Sequence, residues 1–183
     1  MVFAAGFGTR MGDLTKNRPK PLIEVAGKAL IDHTLEWVKD FGANEIVVNL
    51  HYKADLLRKH LSGREIRFSE EQPEILETGG GLKAALPLLG SDPVFTMNSD
   101  SVWAGPNPLR LLFDLWTPVK MDALLLCIPK DHAVGHKGSG DFLLGDDVLL
   151  SRGPGSFYSG LQIVKPDLVH SVDERCFSLY KVW

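Results

Sequence analysis

Apolar residues follow two different periods along this chain. Residues 1–5 (Met-Val-Phe-Ala-Ala) form an unbroken apolar run, the pattern of a strand covered on both faces. Over residues 30–41 the period changes: Ile31, Thr34, Leu35, Val38 and Phe41 recur every three or four positions, which predicts a helix with one buried stripe, stopped by Gly42. Residues 45–50 return to a mainly apolar run around Ile46, Val47 and Val48. Strand, loop, helix and strand joined by a crossover of this length make a parallel, right-handed βαβ unit.

The alternation continues downstream. Residues 54–61 predict a short helix, 65–69 a short alternating strand, and 82–89 a helix preceded by Gly79, Gly80 and Gly81. A strand over 93–98 ends in Ser99, Asp100 and Ser101, and a helix around 108–116 and a core strand over 123–128 follow. The glycine-rich stretch from Gly135 to Gly155 predicts a hairpin region, with Asp146 and Asp147 in a turn. Residues 158–164 form the last predicted strand. The expected fold is one α/β domain over residues 1–183, a three-layer arrangement in which a mixed, mainly parallel twisted sheet is flanked by helices. Open sheets of this kind bind ligands beyond the carboxyl ends of their strands, which is where Gly6, Gly79 and Asp100 fall.

Composition removes several function classes. The formal charge is only −3 and the sequence pI about 6.1, so neither nucleic acid nor an anionic membrane is expected as a partner. No apolar run approaches the ~20 residues of a membrane span, and the N-terminus lacks a leader pattern, so a cytoplasmic protein is expected. Cys127 and Cys176 lack metal-ligand spacing, and the apolar surroundings of Cys127 predict a reduced core thiol. The histidines are scattered without metal spacing and read as non-catalytic. The oligomeric state is left open.

Locally the charge is uneven. Between residues 10 and 28 lie Arg10, Lys16, Arg18, Lys20 and Lys28 against Asp13 and Glu24 alone. This excess adjoins Gly6-Phe7-Gly8-Thr9-Arg10-Met11, a loop whose glycines let bare N–H groups approach phosphate oxygens. Arginine adds a planar fork for such oxygens and lysine a mobile point charge. The loop is not the dinucleotide fingerprint, because Met11 stands where a third glycine is needed and the next strand ends in Asn49-Leu50-His51 without an acidic residue. Polyphosphate chemistry of another kind is expected.

Taken together, Gly6-Phe7-Gly8-Thr9-Arg10-Met11, Leu14-Thr15 and Arg18-Pro19-Lys20-Pro21-Leu22 resemble the opening motifs of the sugar-1-phosphate nucleotidylyltransferases. Within that family, the missing proline before Leu14-Thr15 and the Glu77-Thr78-Gly79-Gly80-Gly81 segment look most like the bacterial N-acetylmuramate-1-phosphate uridylyltransferases, which act in peptidoglycan recycling. The resemblance implies the Rossmann-like fold of the nucleotide-diphospho-sugar transferases. It also implies transfer of a nucleotidyl group from a nucleoside triphosphate, UTP being expected, to a sugar 1-phosphate, N-acetylmuramic acid 1-phosphate being expected. GTP with mannose 1-phosphate, and a non-catalytic nucleotide-sugar-binding regulator, stay open as alternatives.

The same resemblance implies roles for individual residues. Ala5, Gly6, Gly8 and Thr9 would hold the nucleotide with Gln72 and Gly79, Gln72 reading the base edge. Arg10 would neutralise the triphosphate, Lys20 would sit at the sugar phosphate and the α-phosphate under attack, and Asp100 would hold Mg2+. Glu77, Thr78, Asn98 and Gly160 would line the sugar side. A second magnesium carboxylate is implied near the C-terminus, but no stretch before Trp183 matches it; a chain cut short of it and an incomplete metal site are both open. A phosphate monoester oxygen is already anionic at neutral pH, so the attack requires positioning and charge neutralisation and no general base.

Overall fold

Two buried stripes on opposite faces of one sheet account for the architecture, which a computed structural model describes for residues 1–135, 138–145 and 149–183. In chain order the elements are β1 (Val2–Phe3), the β2–β3 hairpin (Glu24–Val25, Lys28–Ala29), α1 (Leu30–Phe41), β4 (Val47–Leu50), α2 (Ala54–His60) and β5 (Arg67–Glu70). There follow α3 (Glu77–Leu89), β6 (Val94–Asn98), α4 (Pro108–Leu115), β7 (Ala123–Ile128), β8 (Phe142–Leu144), β9 (Leu150–Arg152), β10 (Phe157–Val164) and α5 (Asp167–His170). The main sheet has the order β5-β4-β1-β6-β10-β7. Strands β5, β4, β1 and β6 are parallel, and β10 runs antiparallel to both its neighbours. The mixed, mainly parallel α/β sheet expected from the sequence is the one found.

Successive side chains of a strand point to opposite faces, and the core divides accordingly. Val48 and Leu50 of β4 and Leu161 and Ile163 of β10 meet Ile31, Leu35 and Val38 of α1, Leu57 of α2 and Leu109 and Leu112 of α4. Val47, Val94 and Val164 meet Leu82, Ala85 and Leu86 of α3 on the other face, together with Val169 of α5 and Phe177 and Leu179 of the C-terminal segment. Each such aliphatic side chain contributes about 1.5–3 kcal/mol by burial. Helix α1 ends where expected, on Gly42 at φ 85°, whose N–H donates to the carbonyl oxygen of Lys39.

The strand order reverses at β1: β4 and β5 extend the sheet one way, β6 the other. A crevice therefore opens at the carboxyl ends of β1, β4 and β6, the switch point where open α/β sheets bind ligands.

Three expectations need correcting. Helix α3 starts at Glu77, so Gly79, Gly80 and Gly81 lie inside it and not before it. Strand β7 is the sheet's edge and half-buried along its whole length, which leaves Cys127 half-buried as well. Sequence periodicity cannot tell an edge strand from a central one when both are apolar. The small β2–β3 hairpin, which carries no run of apolar residues, was not expected either. The antiparallel pair β8–β9 lies within the predicted hairpin region, while Asp146 and Asp147, assigned to its turn, fall outside the described residues.

The glycines of α3 have a packing reason. A methyl group on Gly80 would come within 2.2 Å of the carbonyl oxygen of Arg175, and one on Gly79 within 2.3 Å of the Phe177 ring. The C-terminal segment lies directly on the helix backbone and accepts hydrogen bonds from Gly79 N–H and Gly80 N–H at Phe177 O, at 2.8 and 3.0 Å. Gly80→Ala gains about 1 kcal/mol of helix propensity and meets about 1–3 kcal/mol of overpacking against backbone that cannot rotate away. We expect a net loss of about 1 kcal/mol in urea denaturation, with the C-terminal segment the first part to lose amide protection.

Candidate active site

The glycine loop after β1 is shaped by contacts that only glycine permits at one position. Gly8 has φ 65°, and a methyl group there would lie 2.8 Å from Thr15 Cγ2 and 2.9 Å from Lys20 Cβ. The loop thus packs directly on the segment that carries Lys20. Thr15 fastens it, its hydroxyl donating to the carbonyl oxygens of Gly8 and Gly12, both at 3.1 Å, which explains why a threonine ends this turn. Phe7 meets the rings of His51 and Tyr52 with centroids 5.3 and 5.7 Å apart, and Tyr52 Oη donates to Thr15 O. Gly6 differs from Gly8, since a methyl group there would have nothing within 4 Å.

Pro19, Lys20 and Pro21 form the start of a single 3-10 turn at Lys20–Leu22, with both prolines fixing backbone torsions around the lysine. Lys20 Nζ donates to Asp100 Oδ2 at 2.6 Å, and Asp100 is the second residue beyond the end of β6. The two side chains are 24% and 34% exposed, so this ion pair is worth on the order of 1 kcal/mol or less and its partners exchange at little cost.

These groups line one cleft of about 340 Å³. One wall is Ala5, Gly6, Gly8, Thr9 and Arg10; Lys20, Asn98 and Asp100 form the floor, and Glu77 and Thr78 the opposite wall. Arg10 is exposed and forms no ion pair among the described residues. Other basic residues of the 10–28 cluster lie outside this cleft: Arg18 and Lys28 line a separate groove, Lys28 pairs with Glu36 at 2.7 Å, and Lys16 lines a small pocket beside Phe7 and Thr9 of the loop. Only part of the local charge excess therefore serves the cleft.

Three expected site residues are not among its lining residues. Gln72 is exposed between Glu71 and Ile75, which do line the cleft, and its carbonyl oxygen accepts from the Arg175 guanidinium. Gly79 already gives its N–H to Phe177 and has that ring over its Cα, which removes the reason for assigning it to a nucleotide. Gly160, at φ 82°, lies against Asn98, where a methyl group would come 2.4 Å from Nδ2. Thr78 is in the cleft wall, with its hydroxyl oxygen accepting from Leu179 N–H at 2.9 Å.

Two lining residues went unseen in the sequence reading. Asn49 and Glu71 are buried, and Asn49 Nδ2 donates to Glu71 Oε1 at 2.6 Å. An asparagine inside the apolar run Val47-Val48-Asn49-Leu50 is the signal that could have found them, because a buried polar side chain requires a partner. No described histidine lines the cleft. Burial, and after it the Asp141 carboxylate, raise the Cys127 thiol to about 11, which leaves it protonated and unsuited to act as a nucleophile.

Among the described residues no group of three His, Cys, Asp or Glu side chains could hold a metal unaided. Magnesium normally takes one or two carboxylates and completes its shell with phosphate oxygens and water. Asp100 fits that role, since one carboxylate oxygen is on Lys20 and the side chain is accessible at the strand end. No helix among the described residues is long and apolar enough to cross a membrane.

Residues 1–145 match the MobA-like NTP transferase domain. The N-acetylmuramate alpha-1-phosphate uridylyltransferase of Caulobacter vibrioides is 41% identical over all of this chain and 81% of its own length. Its counterpart in Neisseria meningitidis is 34% identical over 94% of this chain and 78% of its own. The crystal structure of HddC from Yersinia pseudotuberculosis complexed with GMP-PN superimposes with a TM-score of 0.79 at 22% identity, covering 97% of this chain and 80% of that one, a likeness of fold.

Proposed function

We propose, from the premise that this chain belongs to the MobA-like NTP transferase family, that it transfers a uridylyl group from UTP to N-acetylmuramic acid 1-phosphate and releases pyrophosphate. The observation that carries the reading is the meeting, at the sheet's switch point, of the Gly6–Arg10 loop with Lys20 and Asp100. The two relatives that match over nearly the whole chain support the choice of nucleotide and sugar.

In this reading the backbone of Ala5 to Thr9 receives the triphosphate, with Arg10 at the phosphates that leave. Lys20, on the floor and packed against the loop at Gly8, exchanges its bond to Asp100 for the oxygens of the α-phosphate and the sugar phosphate. It thereby draws nucleophile and electrophile together and neutralises charge as the new bond forms. The sugar phosphate oxygen attacks α-phosphorus, the bond from α-phosphorus to the bridging oxygen breaks, and that oxygen leaves on pyrophosphate. Asp100 would hold Mg2+, which when bound neutralises phosphate charge. Glu77, Thr78 and Asn98 would face the sugar, and Gln72, exposed beside the cleft-lining Glu71, would read the base edge.

The test is kcat/KM for pyrophosphate release over a panel of four triphosphates and several sugar 1-phosphates. The highest value is expected for UTP with N-acetylmuramic acid 1-phosphate. A higher value for GTP with mannose 1-phosphate would replace the substrate pair, and release with no pair would refute the reading.

Gly6 offers a sharper probe of the loop. Because a methyl group meets no protein atom there, Gly6→Ala is expected to leave stability within about 0.5 kcal/mol. Close backbone approach to phosphate would be lost, so the KM for UTP is expected to rise about tenfold or more. Unchanged KM would show that the triphosphate does not pass over Gly6.

A further inference from the structure

Three features around Glu71 are each unfavourable on their own. Its carboxylate is fully buried with no cationic partner among the described residues. Gly81 stands inside α3, where alanine has the better helix propensity, yet a methyl group there would lie 2.6 Å from Glu71 Oε1. Glu77, at the entry of α3, has φ 60°, a left-handed conformation uncommon for a residue with a side chain. A glutamine would fill nearly the same space without burying a charge. Local costs that converge on one site without a local gain point to function.

The hydrogen bonds explain why a carboxylate is needed. Ala4 N–H donates to Asn49 Oδ1 at 2.6 Å, Asn49 Nδ2 donates to Glu71 Oε1 at 2.6 Å, and Leu76 N–H donates to Glu71 Oε2 at 2.7 Å. The two backbone amides at the ends of this chain can only donate, which fixes the direction of the asparagine amide and demands an acceptor at both glutamate oxygens. Ala4 immediately precedes the phosphate loop. Leu76 immediately precedes Glu77, the left-handed residue of the opposite wall. The network is thus a brace across the cleft, from one wall to the other.

We propose that Glu71 is a positioning residue that, through Asn49 and the Leu76 amide, sets the distance between the phosphate loop and the 72–78 wall and so governs nucleotide affinity and selection. The inference rests on the nucleotide-binding reading given above. Glu71 touches no reacting atom; it acts through the backbone at both ends of the brace.

Donor order makes the proposal testable by a reciprocal exchange. Glu71→Gln places an amide where two donors need acceptors, so one bond must break. Combining it with Asn49→Asp restores all three: Ala4 N–H and the new glutamine amide donate to the introduced carboxylate, and the glutamine oxygen accepts from Leu76 N–H, with net charge unchanged. We would measure UTP and CTP binding by calorimetry, pyrophosphate release, and urea stability for the full chain, Glu71→Gln and the double variant. Glu71→Gln is expected to weaken UTP binding about tenfold and to lower the UTP-to-CTP preference, and the double variant to recover both to within about threefold of the parent. Loss of stability with unchanged preference would assign Glu71 a structural role only and overturn the proposal. If Glu71→Gln does not fold, a double variant that also fails would overturn it as well. A parent chain that binds UTP selectively without releasing pyrophosphate would refute the proposed reaction while the binding arm still decides the brace; a parent that binds no triphosphate would overturn both.

Discussion

Lys20→Ala is expected to lower turnover by about 10²–10³-fold or more while the protein stays folded. The lysine is the only cation seen to join the phosphate loop to the floor of the cleft among the described residues: its Cβ packs on Gly8, and its ammonium reaches Asp100 at 2.6 Å. Little stability depends on it, since a partly exposed pair of this kind contributes on the order of 1 kcal/mol or less. Loss of a charge that follows the transferring phosphoryl group costs far more in the transition state than its removal costs the fold. Lys20→Arg should recover only part of the rate, because the planar fork differs in reach and shape from a point charge held between two prolines. Steady-state kinetics beside urea denaturation separates the two effects. Near-normal kcat in Lys20→Ala would remove the lysine from the mechanism.

Asp100→Asn is expected to be the second large effect, a fall in kcat of on the order of 10²-fold. The substitution keeps size and still offers Lys20 an acceptor, so a role limited to orienting the lysine predicts a much smaller loss. If the carboxylate holds magnesium, the apparent magnesium requirement of the variant rises, and high magnesium recovers part of its rate. Lys20→Ala should show no such recovery. Titration of magnesium against rate in both variants distinguishes the roles, and an Asp100→Asn enzyme with parental rate and parental magnesium dependence would exclude Asp100 as the ligand.

The parts of this site that were legible in the sequence are those whose contacts are local. Gly8, Thr15 and Lys20 lie within one short stretch and fold on each other, so the motif contains its own physical reason. Asp100 was legible because a strand end at the switch point has a fixed place in a parallel sheet. Asn49 and Glu71 were not, since their meeting depends on the register of β4 on β5, where Asn49 faces Ser69 and Leu50 faces Glu70. Gly79 and Gly80 were placed before α3 for the same reason: a run of glycines beside a helix suits a ligand and a crossing chain equally, and here a crossing chain lies on them at Arg175 and Phe177. Cys127 was assigned to the core because the apolar character of β7 says nothing about which strand has a neighbour on only one side.

The central claim is that the oxygen of a sugar phosphate attacks the α-phosphorus of UTP in the cleft between Gly6 and Asp100. Following UTP labelled at the α-phosphorus in the presence of N-acetylmuramic acid 1-phosphate tests it directly. The account predicts that the label passes into a UDP-sugar in step with release of unlabelled pyrophosphate, and that both cease in Lys20→Ala. Label that remains in UTP, or appears only in UMP without a nucleotide sugar, would contradict it.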